Sequence, residues 1–248
     1  MAGVVLVTGS GRGIGAATAR LAARRGHAVF VNYAEREDRA RAVVEEIRAR
    51  GGRAAMGRAD VSREDEVEAM FAAVDRELGP LTGLVNNAGI TGPATRLEGY
   101  DAATIRRVLD VSVVGTMLCT RQAARRMSTK HGGGGGSIVN LSSVAATIGG
   151  AGQWTAYAAA KGAVNSLTVG LSRELAPEGI RVNALLPGLI NTEIHAAAGL
   201  GDRLAQLAPS VPAGRIGTAE ECAEAIVWLL SGEAAYLTGA LIPVAGGR

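Results

Sequence analysis

Short apolar runs alternate with helix-length amphipathic stretches along almost the whole chain, and this alternation limits the possible folds more than any other feature. The runs are VVLVT (4–8), AVFVN (28–32), RAAMGRA (53–59), LTGLVNN (81–87), SIVNLS (137–142), RVNALL (181–186) and ALIPV (240–244). Helices are expected between them, near 14–25, 37–50, 63–78, 101–129, 154–176 and 218–231. Continuous apolar strands separated by helices imply a parallel sheet covered on both faces. Right-handed crossovers then make the expected architecture α/β, a doubly wound parallel sheet in a single domain. With 248 residues, 48% of them hydrophobic, the chain is long enough to bury one such core. The run GGGGG (132–136) falls between a helix and a strand, so it reads as a mobile surface loop and not as a linker.

Composition removes several function classes. The chain has 26 basic and 23 acidic residues, a formal +3, and both signs mix within AEREDRARAVVEEIRARGGR. Aromatic residues make up 3%, too few to stack bases, so nucleic acid is not an expected partner. MAGVVLVTGSGRGIG has no charged leader and an apolar run of strand length only. No membrane partner is therefore expected, and the protein is read as cytoplasmic. Cys119 and Cys222 stand alone without metal-binding spacing, so two reduced thiols and no metal site are expected.

Two local patterns point to chemistry. TGSGRGIG (8–15) follows the first strand and opens the first helix. Gly9 permits a tight turn, Gly13 lets the backbone approach a pyrophosphate, and Gly15, after Ile14, allows close helix–strand packing. The helix N-terminus offers free N–H groups and a positive dipole end to the anion. Any tight turn uses glycine; the order strand, glycines, helix is what makes the signal specific. The second pattern, YAAAK, sets the Tyr157 phenol and the Lys161 ammonium one helical turn apart on one face. Taken alone, that pair is more often a core tyrosine beside a lysine reaching for water. A free tyrosine, with a pKa of about 10, is a poor base at neutral pH, whereas a nearby ammonium favours its phenolate.

With three further motifs, the chain resembles the short-chain dehydrogenase/reductase family over nearly its whole length. TGSGRGIG is similar to that family's TGxxxGxG, and Asp60–Val61 to the pair that meets the adenine ring. NNAG (86–89), with Asn87, Ala88 and Gly89, is similar to the segment beside the cofactor. YAAAK is similar to the YxxxK catalytic motif, and Pro187–Gly188 to the turn beside the nicotinamide. The resemblance implies a Rossmann-type domain and an oxidoreductase that interconverts a carbonyl and a secondary alcohol by hydride transfer. It also implies a homotetramer (or dimer). Ser143 would bind the substrate oxygen, Tyr157 would move the proton, and Lys161 would lower the phenol pKa and hold the nicotinamide ribose. Ser143 lies one residue farther from Tyr157 than in the family's commonest form, an extra residue placed in the loop TIGGAGQW, and Ser142 is the alternative serine. Ile190 and Thr192 are assigned to the nicotinamide end.

The chain also departs from the family. DVSVVG carries Ser112 where an asparagine is common, which puts the proton relay from lysine to solvent in question. VAGG (244–247) lacks the aspartate that often precedes these glycines. Folds of this type that take NAD usually place an acidic residue after the second strand. Here VNYAERED has Asn32 and Tyr33 at that point, and Arg12 and Arg36 are suited to a 2′-phosphate. NADP(H) is therefore expected over NAD(H), although Glu35 weakens the positive field. Residues 189–217 are expected to form a substrate lid, with His195, Gln153 and Trp154 as candidate substrate contacts. A loop histidine without partners is more often only solvated. Apolar residues on several faces of the helices near 101–129 and 154–176, including Val113, Val114, Met117, Leu118, Val164, Leu167 and Leu171, call for burial on both sides, and the resemblance implies that these helices pair between subunits. The competing reading is a non-catalytic nicotinamide-binding sensor module, which would have no use for a tuned phenol.

Overall fold

In the computed structural model, which describes residues 3–192 and 206–248, all seven expected strands form. They are β1 Val4–Val7, β2 Ala28–Tyr33, β3 Ala54–Arg58, β4 Leu81–Asn86, β5 Gly136–Leu141, β6 Ile180–Pro187 and β7 Leu241–Val244. The described helices are α1 Gly13–Arg24, α2 Glu37–Ala49, α3 Glu64–Glu77, α4 Ala102–Leu109, α5 Gly115–Met127, α6 Ala145–Ile148, α7 Thr155–Leu175 and α8 Ala219–Leu230. The sheet order is β3-β2-β1-β4-β5-β6-β7, with every neighbouring pair parallel. The winding direction reverses between β1 and β4, and the crevice at the carboxyl ends of those strands is where sheets of this kind bind ligands.

Alternate strand residues enter two separate cores. Val5, Val7, Val29, Val31, Val85 and Val139 pack with α1, α2 and α8. Val4, Leu6, Phe30, Leu84, Ile138 and Val182 pack with α3, α5 and the end of α7. Two covered faces explain why the strands read as continuous apolar runs. Phe30, Phe71, Leu6 and Leu84 are wholly enclosed, and burial of each such side chain stabilises the fold by about 1.5–3 kcal/mol.

The second core also contains a polar line. Asn86 of β4 and Asn140 of β5 are register partners, and both are buried. Asn86 Nδ2 donates to Asn140 Oδ1 at 2.9 Å and to Thr120 Oγ1 of α5 at 3.0 Å. Asn140 Nδ2 donates to Thr168 Oγ1 of α7 at 2.9 Å.

Two sequence expectations change. The stretch 101–129 is not one helix: a π turn at Asp110–Val114 separates α4 from α5. Beyond it, Gly115 packs so closely on Val61 that an added Cβ would come within 2.6 Å of Cγ2. The glycine run at 132–136 is a packed turn, with Gly136 opening β5. A Cβ on Gly133 would fall 2.4 Å from the Arg126 carbonyl oxygen, and one on Gly135 2.5 Å from that of Gly179. These glycines permit close backbone approach. Among the described residues no helix is long and apolar enough to cross a membrane.

Candidate active site

The glycine turn is stitched to the strands around it. Gly9 and Gly13 have φ of 61° and 53°, in the left-handed region that favours glycine. The Thr8 hydroxyl accepts from the N–H groups of Asn87 and Ala88, each at 3.0 Å. Asn87 Nδ2 donates to the carbonyls of Thr8 (2.8 Å) and Gly9 (3.0 Å). Asn32 Oδ1 accepts from the Gly9 N–H at 3.0 Å, and its Nδ2 donates to Ala59 O at 3.1 Å. Asn32 and Asn87, both expected at the cofactor, thus use their amides to shape the turn. No side chain caps α1, which leaves its leading N–H groups available to an anion.

The residues expected at the adenosine are more committed to one another than the sequence suggested. Asp60 Oδ1 accepts from the Ser62 N–H (3.0 Å) and hydroxyl (2.7 Å), and Oδ2 accepts from Arg107 Nη2 (2.7 Å). Burial pushes this carboxyl up, but the Arg107 and Ser62 hydrogen bonds outweigh it and hold the pKa below the usual value. Val61 beside it is buried. Arg36 grips Asp38 with Nε (2.9 Å) and Nη2 (2.6 Å), and that hydrogen-bonded guanidinium brings the Asp38 pKa down to about 2. Arg12 stands exposed at the turn, and Tyr33 is partly exposed at the end of β2.

The chemical end is one cavity of about 270 Å³. It brings together Ile14, Asn87, Gly89, Ser143, Tyr157, Lys161, Pro187, Gly188, Ile190 and Thr192, joined by Gln153 and Trp154. Gln153 is fixed there by its carbonyl, which accepts from Tyr100 Oη and from the Thr95 N–H, both at 2.9 Å. The two serines differ in what they touch. Ser142 is buried, and its hydroxyl donates to the Lys161 carbonyl at 3.0 Å, tying the end of β5 to α7. Ser143 hydrogen-bonds the Tyr157 phenol, and its Oγ accepts from the Ala145 N–H at 3.1 Å. Burial raises the Tyr157 pKa and the Ser143 hydrogen bond opposes that rise. Lys161 is 4% exposed; its Nζ donates to the Leu141 carbonyl and lies 5.6 Å from the centroid of the Tyr157 ring. Burial lowers its pKa to about 8.

Ser112 sits in the π turn, 1% exposed, and its hydroxyl makes no hydrogen bond among the described residues. A Cβ on Gly89 would lie 3.4 Å from Lys161 Nζ and 3.6 Å from Ser112 Oγ, so the serine and the ammonium flank one glycine. Sequence reasoning missed Thr91, Ile148 and Arg248, which also line the cavity, as does Leu189 from the start of the expected lid. Only the glycine pair 246–247 hinted at a chain reversal that brings Arg248 in. His195 lies outside the described residues, as does 193–205 of the expected lid; the flanking parts meet where Ile190 bridges Gly217.

The family model described as enoyl-(acyl carrier protein) reductase matches residues 9–248. The chain is similar to the oxidoreductase YgfF of Escherichia coli, 49% identical over 99% of both chains. It is also similar to the cis-4-hydroxycyclohexanecarboxylate dehydrogenase of Sinomonas cyclohexanicum, 43% identical over 98% of this chain and 95% of that one. Among solved structures, a dehydrogenase/reductase from Sinorhizobium meliloti superposes with a TM-score of 0.90 at 32% identity, covering 100% of this chain and 95% of the other.

Proposed function

The chain belongs to the short-chain dehydrogenase/reductase family and is an NAD(P)-dependent oxidoreductase, and on that premise we propose that it interconverts a carbonyl and a secondary alcohol with NADP(H) through Ser143, Tyr157 and Lys161. The observation that carries this reading is the meeting of a hydroxyl, a phenol and a buried ammonium in one cavity beside the glycine turn. Ser143 donates a hydrogen bond to the substrate oxygen. Tyr157 gives its proton to that oxygen in reduction and takes it back in oxidation. The Ser143 hydrogen bond opposes the burial that raises the phenol's pKa, and the Lys161 ammonium, 5.6 Å from the ring centroid, favours the phenolate. Lys161 also holds the ribose, the α1 N-terminus and glycine turn hold the pyrophosphate, and Pro187, Gly188, Ile190 and Thr192 orient the nicotinamide. A bound nicotinamide supplies or accepts the hydride. Ser112, with its unpaired hydroxyl across Gly89 from Lys161, passes protons between the lysine and solvent.

The preference for NADP(H) rests on the absence of an acid at the end of β2 and on Arg12 at the turn. Arg39 also stands beside the turn, since a Cβ on Gly11 would lie 3.3 Å from Arg39 Cβ. Arg36, held by Asp38, contributes only if it exchanges partners. We further assign the enzyme to the cytoplasm as a tetramer, with residues 189–217 as its substrate lid. The test is oxidation of NADPH and NADH by the purified protein against ketones, aldehydes, quinones, ketosugars and 3-ketoacyl thioesters, with Tyr157→Phe alongside. Turnover that vanishes in the variant is expected. Turnover that persists in it overturns the catalytic reading, and equal or better efficiency with NADH overturns the cofactor reading.

A further inference from the structure

We propose that Arg248 makes this cavity selective for substrates that carry a carboxylate at the end away from the reacting carbonyl. The inference rests on the oxidoreductase reading of the same site and adds its substrate class.

Arg248 is brought to the cavity by a built turn. The Gly188 N–H donates to the Val244 carbonyl at 3.0 Å, and a Cβ on Gly188 would fall 2.8 Å from Ala245 Cα, so the chain beyond β7 is pressed onto the Pro187–Gly188 turn. Gly246 and Gly247 then take φ of 62° and 89° and reverse the chain. The reversal is anchored by the Ala213 N–H on the Gly246 carbonyl (3.0 Å) and the Arg248 N–H on the Ala245 carbonyl (3.3 Å). A glycine pair in the left-handed region is the backbone feature that returns Arg248 to the cavity wall.

The charged side chains of the lining point to an anion. Among the described residues it includes no aspartate or glutamate and two cations, Lys161 and Arg248. Lys161 is buried against Leu141 and Tyr157 and belongs to the chemistry. Arg248 is exposed and forms no ion pair among the described residues. The lining also carries the apolar side chains of Val144, Ile148, Trp154 and Leu189. Such a cavity suits an apolar body with one charged end. A single planar guanidinium matches the two oxygens and one negative charge of a carboxylate, whereas a phosphate dianion would leave a charge uncompensated against the apolar wall.

The test is calorimetric, so it reads binding whether or not a substrate has been found. Cyclohexanecarboxylate and cyclohexanecarboxamide are titrated into the NADP-loaded protein, wild type and Arg248→Gln, Arg248→Lys and Tyr157→Phe. We expect the carboxylate to bind roughly tenfold more tightly than the amide, as a charge-assisted pair at a partly open site allows. Arg248→Gln equalises the two ligands, Arg248→Lys keeps part of the preference, and Tyr157→Phe keeps all of it. No carboxylate preference in the wild type, through equal binding or none, overturns the proposal. So does a preference that survives Arg248→Gln. Failure of the oxidoreductase reading is seen separately, as neutral-ketone turnover that does not depend on Tyr157.

Discussion

Replacing the adjacent serines one at a time separates packing from chemistry at a single strand end. Ser142 is 2% exposed and makes one side-chain hydrogen bond, to the Lys161 carbonyl at 3.0 Å. Its loss in Ser142→Ala costs about 1 kcal/mol of stability, a fall of about 2–4 °C in Tm for a chain of this size. The Lys161 carbonyl keeps its place in the hydrogen-bond ladder of α7, so the ammonium is not released and kcat changes only a few-fold. Ser143 lines the cavity and serves the Tyr157 phenol. In the proposed mechanism Ser143→Ala removes a donor aimed at the developing charge on the substrate oxygen, worth about 2.7–4 kcal/mol, or roughly 10²–10³ in kcat. The phenol also loses the hydrogen bond that opposes its burial, and its pKa moves further up. Steady-state kinetics and thermal unfolding of the two variants give the answer. If Ser142→Ala loses the hundredfold in kcat and Ser143→Ala keeps activity, the register assigned to the end of β5 is wrong.

Three other outcomes follow from the geometry. Gly15→Ala would put a Cβ 2.5 Å from Asn87 Nδ2, 2.8 Å from the Gly9 carbonyl oxygen and 2.9 Å from Ser10 Cα, two of them backbone atoms. It should cost about 1–3 kcal/mol and loosen cofactor binding at least tenfold; a cofactor Kd equal to wild type would count against the close-packing role. Lys161 has its pKa lowered to about 8, so below that pH the fold carries a buried charge, and between about 8 and 10 the unfolded chain binds more protons. Stability from this group therefore rises with pH across that window. Lys161→Met removes the burial penalty, and its stability relative to wild type should be greatest at neutral pH and shrink toward pH 10. A pH-independent difference in denaturant unfolding would refute this. Val114 and Met117 of the π turn and α5 are exposed at 39% and 50% and adjoin Leu167 and Leu171 of α7 in one shallow groove. We expect this face to be covered in a tetramer, and sedimentation as a monomer at micromolar concentration would overturn that.

The fold was legible because parallel strands covered on both faces leave a periodic mark. Each apolar run became a strand within a residue or two of its expected ends. The helix near 101–129 did not, because a π turn is a property of backbone geometry and the run DVSVVG contains no proline to announce it. At the site, the strand–glycine–helix order and the spacing of Tyr157 and Lys161 were local, and both groups line or adjoin the cavity. What escaped was pairwise. The grip of Asp38 on Arg36 and the internal use of the Asn32 amide depend on side-chain rotamers that no spacing rule fixes. The arrival of Arg248 depends on where two glycines send the chain after its last strand.

The amide line of Asn86, Asn140 and Thr168 bears on how the sheet avoids assembling wrongly. A slide of β5 along β4 by two residues would keep every side chain on its proper face and set Val85 against Leu141 and Val139 against Gly83, so the apolar pattern offers little resistance. The same slide would separate Asn86 from Asn140 and strand their amides in a dry layer, at about 1–3 kcal/mol for each group left unpaired. Parallel pairings close long loops and form slowly, which gives mispaired registers time to accumulate. These asparagines act as a proofreading device for the sheet. They reject a mismatch that hydrophobicity would accept, and in doing so keep Ser143 and Gly89, each three residues past one of them, level across the crevice.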